Sequence, residues 1–388
     1  MSTELGAVCA LVKGGLNPQQ HTGTLFAHYS IPAFDLNVGP VIETGAGIRS
    51  QKTPIPSGVV LVSKLNPRIP RVWHVDGDQP HQRICSTEFV PLLPDPDVLA
   101  AEYLAFALRE ALQAGFIKGN TAAATKSRER AKPADFLRLK IRVPALSEQR
   151  RIVDLLSRAE NIVRMRREAE QKAKEIIPAL FLDMFGDPAT NPRAFPSVPL
   201  SSLIREGDHI NYGVLQPGED MAAGVPLVRV GDLRHGAVSH AALKRIDPTI
   251  ERGYRRSRLR GDEVLMSCVG SIGTVAIADV SAKGFNIARA VARIPVAPHV
   301  DSKFVAAYLS TGFIQRYLLS EARTVSQPTL NIKQLSETVV RLPPPELQRR
   351  FSGYASQMRK LSDETALAQR LAGDAFRALL ARVFGEGA

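Results

Sequence analysis

Five arginines and a tyrosine crowd one stretch of nine positions: Arg252, Tyr254, Arg255, Arg256, Arg258 and Arg260, with no acid among them. Guanidinium groups grip phosphate oxygens, and one placed over a guanine can bridge O6 and N7, so this pattern suits phosphate contacts plus a base contact. A plain solvated charged loop stays open as the alternative. The first half offers a looser set of cations, Lys64, Arg68, Arg71, Lys126, Arg128 and Arg130. The polar run from Thr324 to Asn331 adds Ser326 and Gln327, which either reach a nucleic acid or cap a final strand.

Motifs for covalent chemistry are absent. There is no G-x-x-x-x-G-K-[ST] loop, and no Asn-Pro-Pro-aromatic segment of the kind that holds a target adenine. Asn66-Pro67 and Asn191-Pro192 lack the second proline, and Gly213, Gly218 and Gly224 are too dispersed for a dinucleotide fingerprint. Gly270-Ser-Ile-Gly273 reads as a turn between strands rather than a phosphate loop. Pro94-Asp95 could open a nuclease centre, but the next acid-x-Lys, Glu170-Gln-Lys172, falls on a predicted helix. His209, His235 and His240 are scattered as loop residues are, and Cys9, Cys85 and Cys268 have no metal-ligand spacing. The expectation is a non-catalytic chain that holds no metal and no cofactor. An enzyme with an unrecognised site is the competing class.

Composition agrees with a polyanionic partner. The 388 residues carry a net charge of +12, which favours nucleic acid. The first residues lack a basic lead into an apolar run, and no stretch approaches the roughly 20 apolar residues of a membrane span. A soluble, cytoplasmic protein with reduced cysteines is expected, with no membrane partner.

The elements that must position the cations repeat at a constant offset of 199 residues. Arg142 and Pro144 match Arg341 and Pro343, Gln149-Arg-Arg151 matches Gln348-Arg-Arg350, and Phe185-Gly186 matches Phe384-Gly385. Each copy has the three- and four-residue spacing of a helical seam. In the first it runs through Ile152, Leu155, Ile162, Ile176 and Leu180; in the second through Phe351, Tyr354, Met358, Leu361 and Leu379. Gly186 and Gly385 are stops, and Pro178 should kink the first helix. Each seam needs a partner, and the other repeat is the simplest one. The alternative is a pair of unrelated helices, each packed on its own domain.

Before each helix lies a segment rich in β-branched residues and turn formers. Strands are expected at Val59–Val62, Arg71–Val75 and Glu88–Leu92, and at Val225–Val230, Glu263–Met266, Thr274–Ile277 and Ala290–Ile294. A helix follows in each, Val98–Gln113 and Val300–Ser320, with Tyr103 and Tyr308 in comparable places. The fold class is α/β (α+β): two mixed α/β domains separated by two long helices, which form an antiparallel coiled coil with a pseudo-two-fold internal repeat. The expected boundaries are 1–143 for the first domain, 144–186 for its helix, 187–199 for a Pro-rich linker, 200–342 for the second domain and 343–388 for the second helix.

With these residues in view, the chain resembles the specificity subunits of type I restriction–modification systems. Ala179-Leu-Phe-Leu-Asp-Met-Phe-Gly-Asp-Pro188 with Val198-Pro-Leu200 is similar to their inter-domain region. Tyr29-Ser-Ile-Pro-Ala-Phe-Asp35 and the run from Val62 to Trp73 resemble their first recognition domain. Pro226-Leu-Val-Arg-Val-Gly-Asp-Leu233 and Gly261-Asp-Glu-Val-Leu265 resemble their second. The resemblance implies two target-recognition domains that each read half of a bipartite double-stranded DNA site. It implies helices that set the gap and dock two methyltransferase (modification) subunits, and a motor-nuclease (restriction) subunit that joins them. S-adenosylmethionine, ATP and Mg²⁺ would belong to those partners, not to this chain. A DNA-reading adaptor of another defence system, without a restriction partner, would have the same sequence. A helix of roughly 38 residues spans about 57 Å, enough to hold two readers over DNA turns about 34–36 Å apart.

Overall fold

The computed structural model describes residues 2–117, 129–324 and 327–385. Lys126, Arg128 and Ser326 lie outside the described residues, and the side chains of Arg323 and Thr324 are likewise not described. The chain divides into two compact units, Met1–Arg167 with Ala368–Ala388, and Glu168–Leu367.

The first unit holds two four-stranded sheets. One is antiparallel, in the order Cys9–Leu11, Phe89–Pro94, Val60–Ser63, Val72–His74. The other runs Val41–Thr44, Leu25–Tyr29, Gln82–Ser86, Lys52–Pro54, with its middle pair parallel. Val60 to Ser63 is buried on both faces, which explains its unbroken β-branched and aliphatic run. The helix Ala101–Gln113 covers this sheet and buries Tyr103, Leu104, Phe106 and Leu108.

In the second unit a six-stranded sheet is ordered Asn211–Tyr212, Val291–Ile294, Glu263–Ser267, Val275–Ala278, Ala237–Val238, Leu233–Arg234. Val225–Val228 forms a smaller sheet with Lys244–Ile246 and Asn286–Ile287. The expected helix over Val300–Ser320 is two helices, Ser302–Leu309 and Gly312–Glu321. Ser310, Thr311 and Gly312 are weak helix formers and allow the break.

The two long helices, Leu146–Phe185 and Pro345–Phe384, are 40 residues each. The first runs unbroken through Pro178. It ends at Gly186, whose φ of +78° suits glycine. A Cβ there would stand 2.4 Å from Pro192, so the Pro-rich turn that follows also demands glycine.

The helices pair in opposite sense inside each unit. In the first, Ile152 and Leu156 share a core with Leu380 and Phe384. In the second, Phe181 and Phe185 share a core with Phe351 and Ala355. The seam expected from sequence is corrected by about one position. Ile152 and Phe351 are buried, and Leu180, Met358 and Leu379 are half-buried, but Leu155, Ile162, Ile176, Tyr354 and Leu361 are exposed. The cause is side-chain size. Counting small and large apolar residues alike favours the 155/162/176 stripe, whereas the domain cores take the bulky i, i+4 pairs 152/156, 181/185 and 380/384.

The repeat holds in its polar fastenings. Gln149 Oε1 accepts from Ala100 N at 2.8 Å, and Gln348 Oε1 accepts from Asp301 N at 3.0 Å, each tying a long helix to the cap of its domain helix. Ser2–Glu4 pairs with Lys140–Arg142, and Ser197–Pro199 pairs with Val339–Arg341. The last three residues of the expected linker are thus a strand of the second unit. Tyr103 and Tyr308 each donate a hydroxyl hydrogen bond to the strand before the long helix, to the Arg142 carbonyl at 2.8 Å and the Val339 carbonyl at 3.0 Å, whereas in ring packing Tyr103 is matched by Phe304. Tyr103 meets Phe384 and Phe304 meets Phe185, both at 5.1 Å. Tyr308 sits one turn further on.

A half-buried histidine is expected to give the first unit a pH dependence. His28 Nδ1 lies 2.6 Å from Glu43 Oε1. Burial, opposed by that hydrogen bond, holds the imidazole below its ordinary pKa of 6.5. The unfolded chain therefore takes up this proton at a higher pH than the folded one. The contribution to stability is complete above about 6.5 and is lost as pH falls from there through the lower folded value. His28→Gln is expected to flatten the decline in Tm between about pH 7 and 5; an unchanged profile rules the imidazole out as its source.

Candidate nucleic-acid interface

Asp247 caps the short helix Pro248–Arg252, its carboxylate accepting from Thr249 N at 2.7 Å. A single 3-10 turn, Arg255–Ser257, follows and leads into the strand Glu263–Ser267. The six residues singled out from sequence share this surface but differ in what they do. Arg252, Arg255 and Arg256 are exposed, and none makes an ion pair among the described residues. Arg258 is committed elsewhere: its guanidinium forks onto Glu251, which is 2% exposed, with Nε donating at 2.8 Å. That hydrogen bond, working against burial, holds the Glu251 carboxyl below its usual range. Arg260 is exposed but stands 3.7 Å from Asp208. Tyr254 is half-buried against Val214, Leu227 and Ile246, so its ring anchors the loop.

Beneath the loop lies a network that sequence reasoning missed. Arg293 is 1% exposed and donates to both Asp208 oxygens, at 2.9 and 2.7 Å, and to Glu263 at 3.1 Å. Its Nη1 also reaches the Arg256 carbonyl at 3.2 Å. Glu263, fully buried, accepts the backbone N–H groups of Arg260, Gly261 and Asp262. Burial pushes the Asp208 carboxyl upward, but Arg293, the His209 N–H and Arg260 outweigh it and hold it below the usual range. Asn286 adds a second fastening. It donates to Glu251 and to the Tyr254 carbonyl, and accepts from Ser257 Oγ at 2.7 Å. The three unpaired guanidiniums therefore project from a backbone fixed from below, the preorganisation that anion recognition needs.

Three of the first-unit candidates make ion pairs within the unit. Arg71, whose side chain is 12% exposed, forks onto Asp35 at 2.6 and 3.0 Å, so it bolts its segment to the end of the helix Ile31–Asp35. Arg130 forks onto Glu88, and Arg68 meets buried Glu129 at 2.9 Å. Lys64 is half-buried and makes no ion pair among the described residues. Gln327 is exposed beside Pro328–Thr329, whose carbonyl at Pro328 receives the Gly270 N–H. Gly270–Gly273 is the turn of the hairpin Glu263–Ser267/Val275–Ala278, as expected. His209, His235 and His240 lie exposed on loops, and no group of three or more metal-ligating side chains comes together among the described residues. No helix among these residues is long and apolar enough to cross a membrane.

Known proteins resemble this chain in sequence and in fold. Residues 224–366, which include the arginine loop, match the type I restriction modification DNA specificity domain. A stretch of 175 residues, 44% of this chain, is 34% identical to the type I restriction enzyme EcoBI specificity subunit of Escherichia coli, of which it covers 36%. The match thus spans about a third of that relative's length. Across 99% of this chain and 97% of the other, the fold matches a chain from a structure describing complex assembly and conformational transition of the type I R-M system (TM-score 0.60, 20% identity). It also matches the type I restriction-modification S subunit from M. genitalium over 99% and 96% of the two chains (TM-score 0.58, 14% identity). Two mixed α/β units with a pair of long helices are therefore a fold that these chains share. The chain is thus similar to type I restriction–modification specificity subunits over part of its sequence and, at low identity, in its fold.

Proposed function

We propose that this chain is the sequence-reading subunit of a type I restriction–modification complex. Each unit contacts half of a bipartite double-stranded DNA site, and the long helices set the spacing between the halves. The observation that carries the reading is the trio Arg252, Arg255 and Arg256. They are exposed, without ion partners among the described residues, and mounted on a buried Arg293–Glu263–Asp208 base inside the matched domain.

Replacing all three with Ala is expected to weaken DNA binding and to lower the slope of log K against log salt by roughly two to three, since each phosphate contact contributes about 0.9. Binding to fluorescent duplex DNA measured from 50 to 200 mM salt provides the test. Arg258→Ala serves as contrast, because its loss leaves Glu251 unpaired and should lower stability instead. An unchanged salt slope in the triple variant removes the loop from the interface.

Partners belong on the helices. Leu155, Ile162 and Ile176 on one, and Tyr354 and Leu361 on the other, leave apolar stripes exposed at seven-residue multiples and in register across the repeat. Stripes of that spacing suit partner helices, and we assign them to two methyltransferase subunits, with a motor-nuclease subunit completing the complex. The chain itself would be non-catalytic and cytoplasmic, with S-adenosylmethionine, ATP and Mg²⁺ held by the partners. Incubating the purified chain with DNA, Mg²⁺ and S-adenosylmethionine tests this: methylation or cleavage by the chain alone overturns it.

A further inference from the structure

The two units differ at one place where their frameworks agree. The Gln149 and Gln348 fastenings and the matched contacts Tyr103–Phe384 and Phe304–Phe185 set Phe106 opposite Ala307, and Leu156 opposite Ala355. In the first unit Phe106 and Leu156 are buried, and Arg109 closes over them. Its guanidinium lies 5.2 Å from the Phe106 ring centre and pairs with Glu160. In the second unit both bulky residues are alanine, Arg109 is replaced by Ser310, and Glu160 by Arg359. What remains is a cavity of about 460 Å³.

Its walls are apolar: Ile177, Phe181 and Phe351 on one side, Val275, Ile277 and Ala306 on the other. Its polar rim is mainly cationic. Arg359 donates one Nη to the Gly236 carbonyl at 2.9 Å and keeps other N–H groups to spare. Lys303 reaches Ser356 Oγ at 2.7 Å. Among the described residues the rim holds a single carboxylate, Asp279, whose Oδ1 accepts the N–H and hydroxyl of Ser281, so the two cations outnumber it. Gly236 has a φ of +71°, and a Cβ there would stand 2.5 Å from Arg359, so the rim is built around that guanidinium.

We propose that this cavity is a binding site for a small organic anion with an aromatic or branched aliphatic body. Its volume falls in the range of about 300–1,000 Å³ typical of small-molecule sites. The apolar body takes the space that Phe106 and Leu156 fill in the sister unit, and the anionic group meets Arg359 and Lys303. The assignment is independent of DNA reading.

The probe is 8-anilinonaphthalene-1-sulfonate, an aromatic anion. The folded chain is expected to bind it at one saturable site. Ala307→Phe with Ala355→Leu, which installs the sister unit's own filling, should weaken binding at least tenfold. Because that variant could disturb folding, Arg359→Gln provides a second reading. It should weaken the sulfonate probe severalfold and leave the neutral dye 1-aminoanthracene unchanged. Full binding in the filled, folded variant, or equal loss of both dyes in Arg359→Gln, overturns the proposal. So does loss of the site when the chain is purified with its partner subunits, since a partner side chain would then be the occupant.

Discussion

Arg293→Ala is expected to destabilise the second unit by about 3–5 kcal/mol, the usual cost of removing one member of a buried ion pair. The side chain is 1% exposed and holds Asp208 and Glu263 together. Without it, a fully buried carboxylate keeps only backbone donors, and the loop carrying Arg252, Arg255 and Arg256 loses its floor. The effect can be assigned to a unit because the one tryptophan, Trp73, lies in the first, packed against Tyr29 at 4.8 Å. Thermal melts followed by circular dichroism should shift down, while the Trp73 fluorescence transition keeps its midpoint. Duplex binding should fall with the dichroism transition. A variant that melts like the parent makes the buried network energetically idle. A variant that melts early but binds DNA fully uncouples the network from the loop.

Phe384→Ala is expected to act in the opposite place. The ring comes from the end of the second long helix, yet it packs edge-on against Tyr103 of the first unit and is 9% exposed. Large-to-small changes at buried Phe cost about 3–5 kcal/mol. In a unit of this size each kcal/mol moves Tm by roughly 2–4 °C. The Trp73 transition should therefore drop by about 6–20 °C. If only the second unit weakens, the division of the helices between units is wrong.

Much of this architecture was legible because duplication writes the same physical demand twice. Gln149 and Gln348 appear 199 positions apart in sequence and make the same cap-to-helix hydrogen bond in space. Gly186 and Gly385 marked the helix ends for a backbone reason. The face of the helices was harder to read, since a seven-residue spacing fits two adjacent stripes and only the weight of Phe181, Phe185 and Phe384 chooses between them.

The cations were harder still. Arg71, Arg130 and Arg68 could be picked out as cations from sequence, but their acids, Asp35, Glu88 and Glu129, come from distant segments. No local pattern announces such pairs. Arg293 carried a usable signal: a single cation in the strand Val291–Ile294, beside a strand that opens with the single acid Glu263. A charge inside an otherwise apolar strand asks for a buried counter-charge.

Residues 368–388 belong to the unit that begins at Met1. A ribosome releases Tyr103 and Leu156 between 224 and 281 residues before it releases Leu380 and Phe384, which cover them. Until then the nascent chain shows water an unfinished apolar surface, and the unit encoded later, Glu168–Leu367, has all its parts before the first can close. Maturation of the earlier half thus waits for residues 368–384, and a translation product stalled or clipped before them should be found with chaperones.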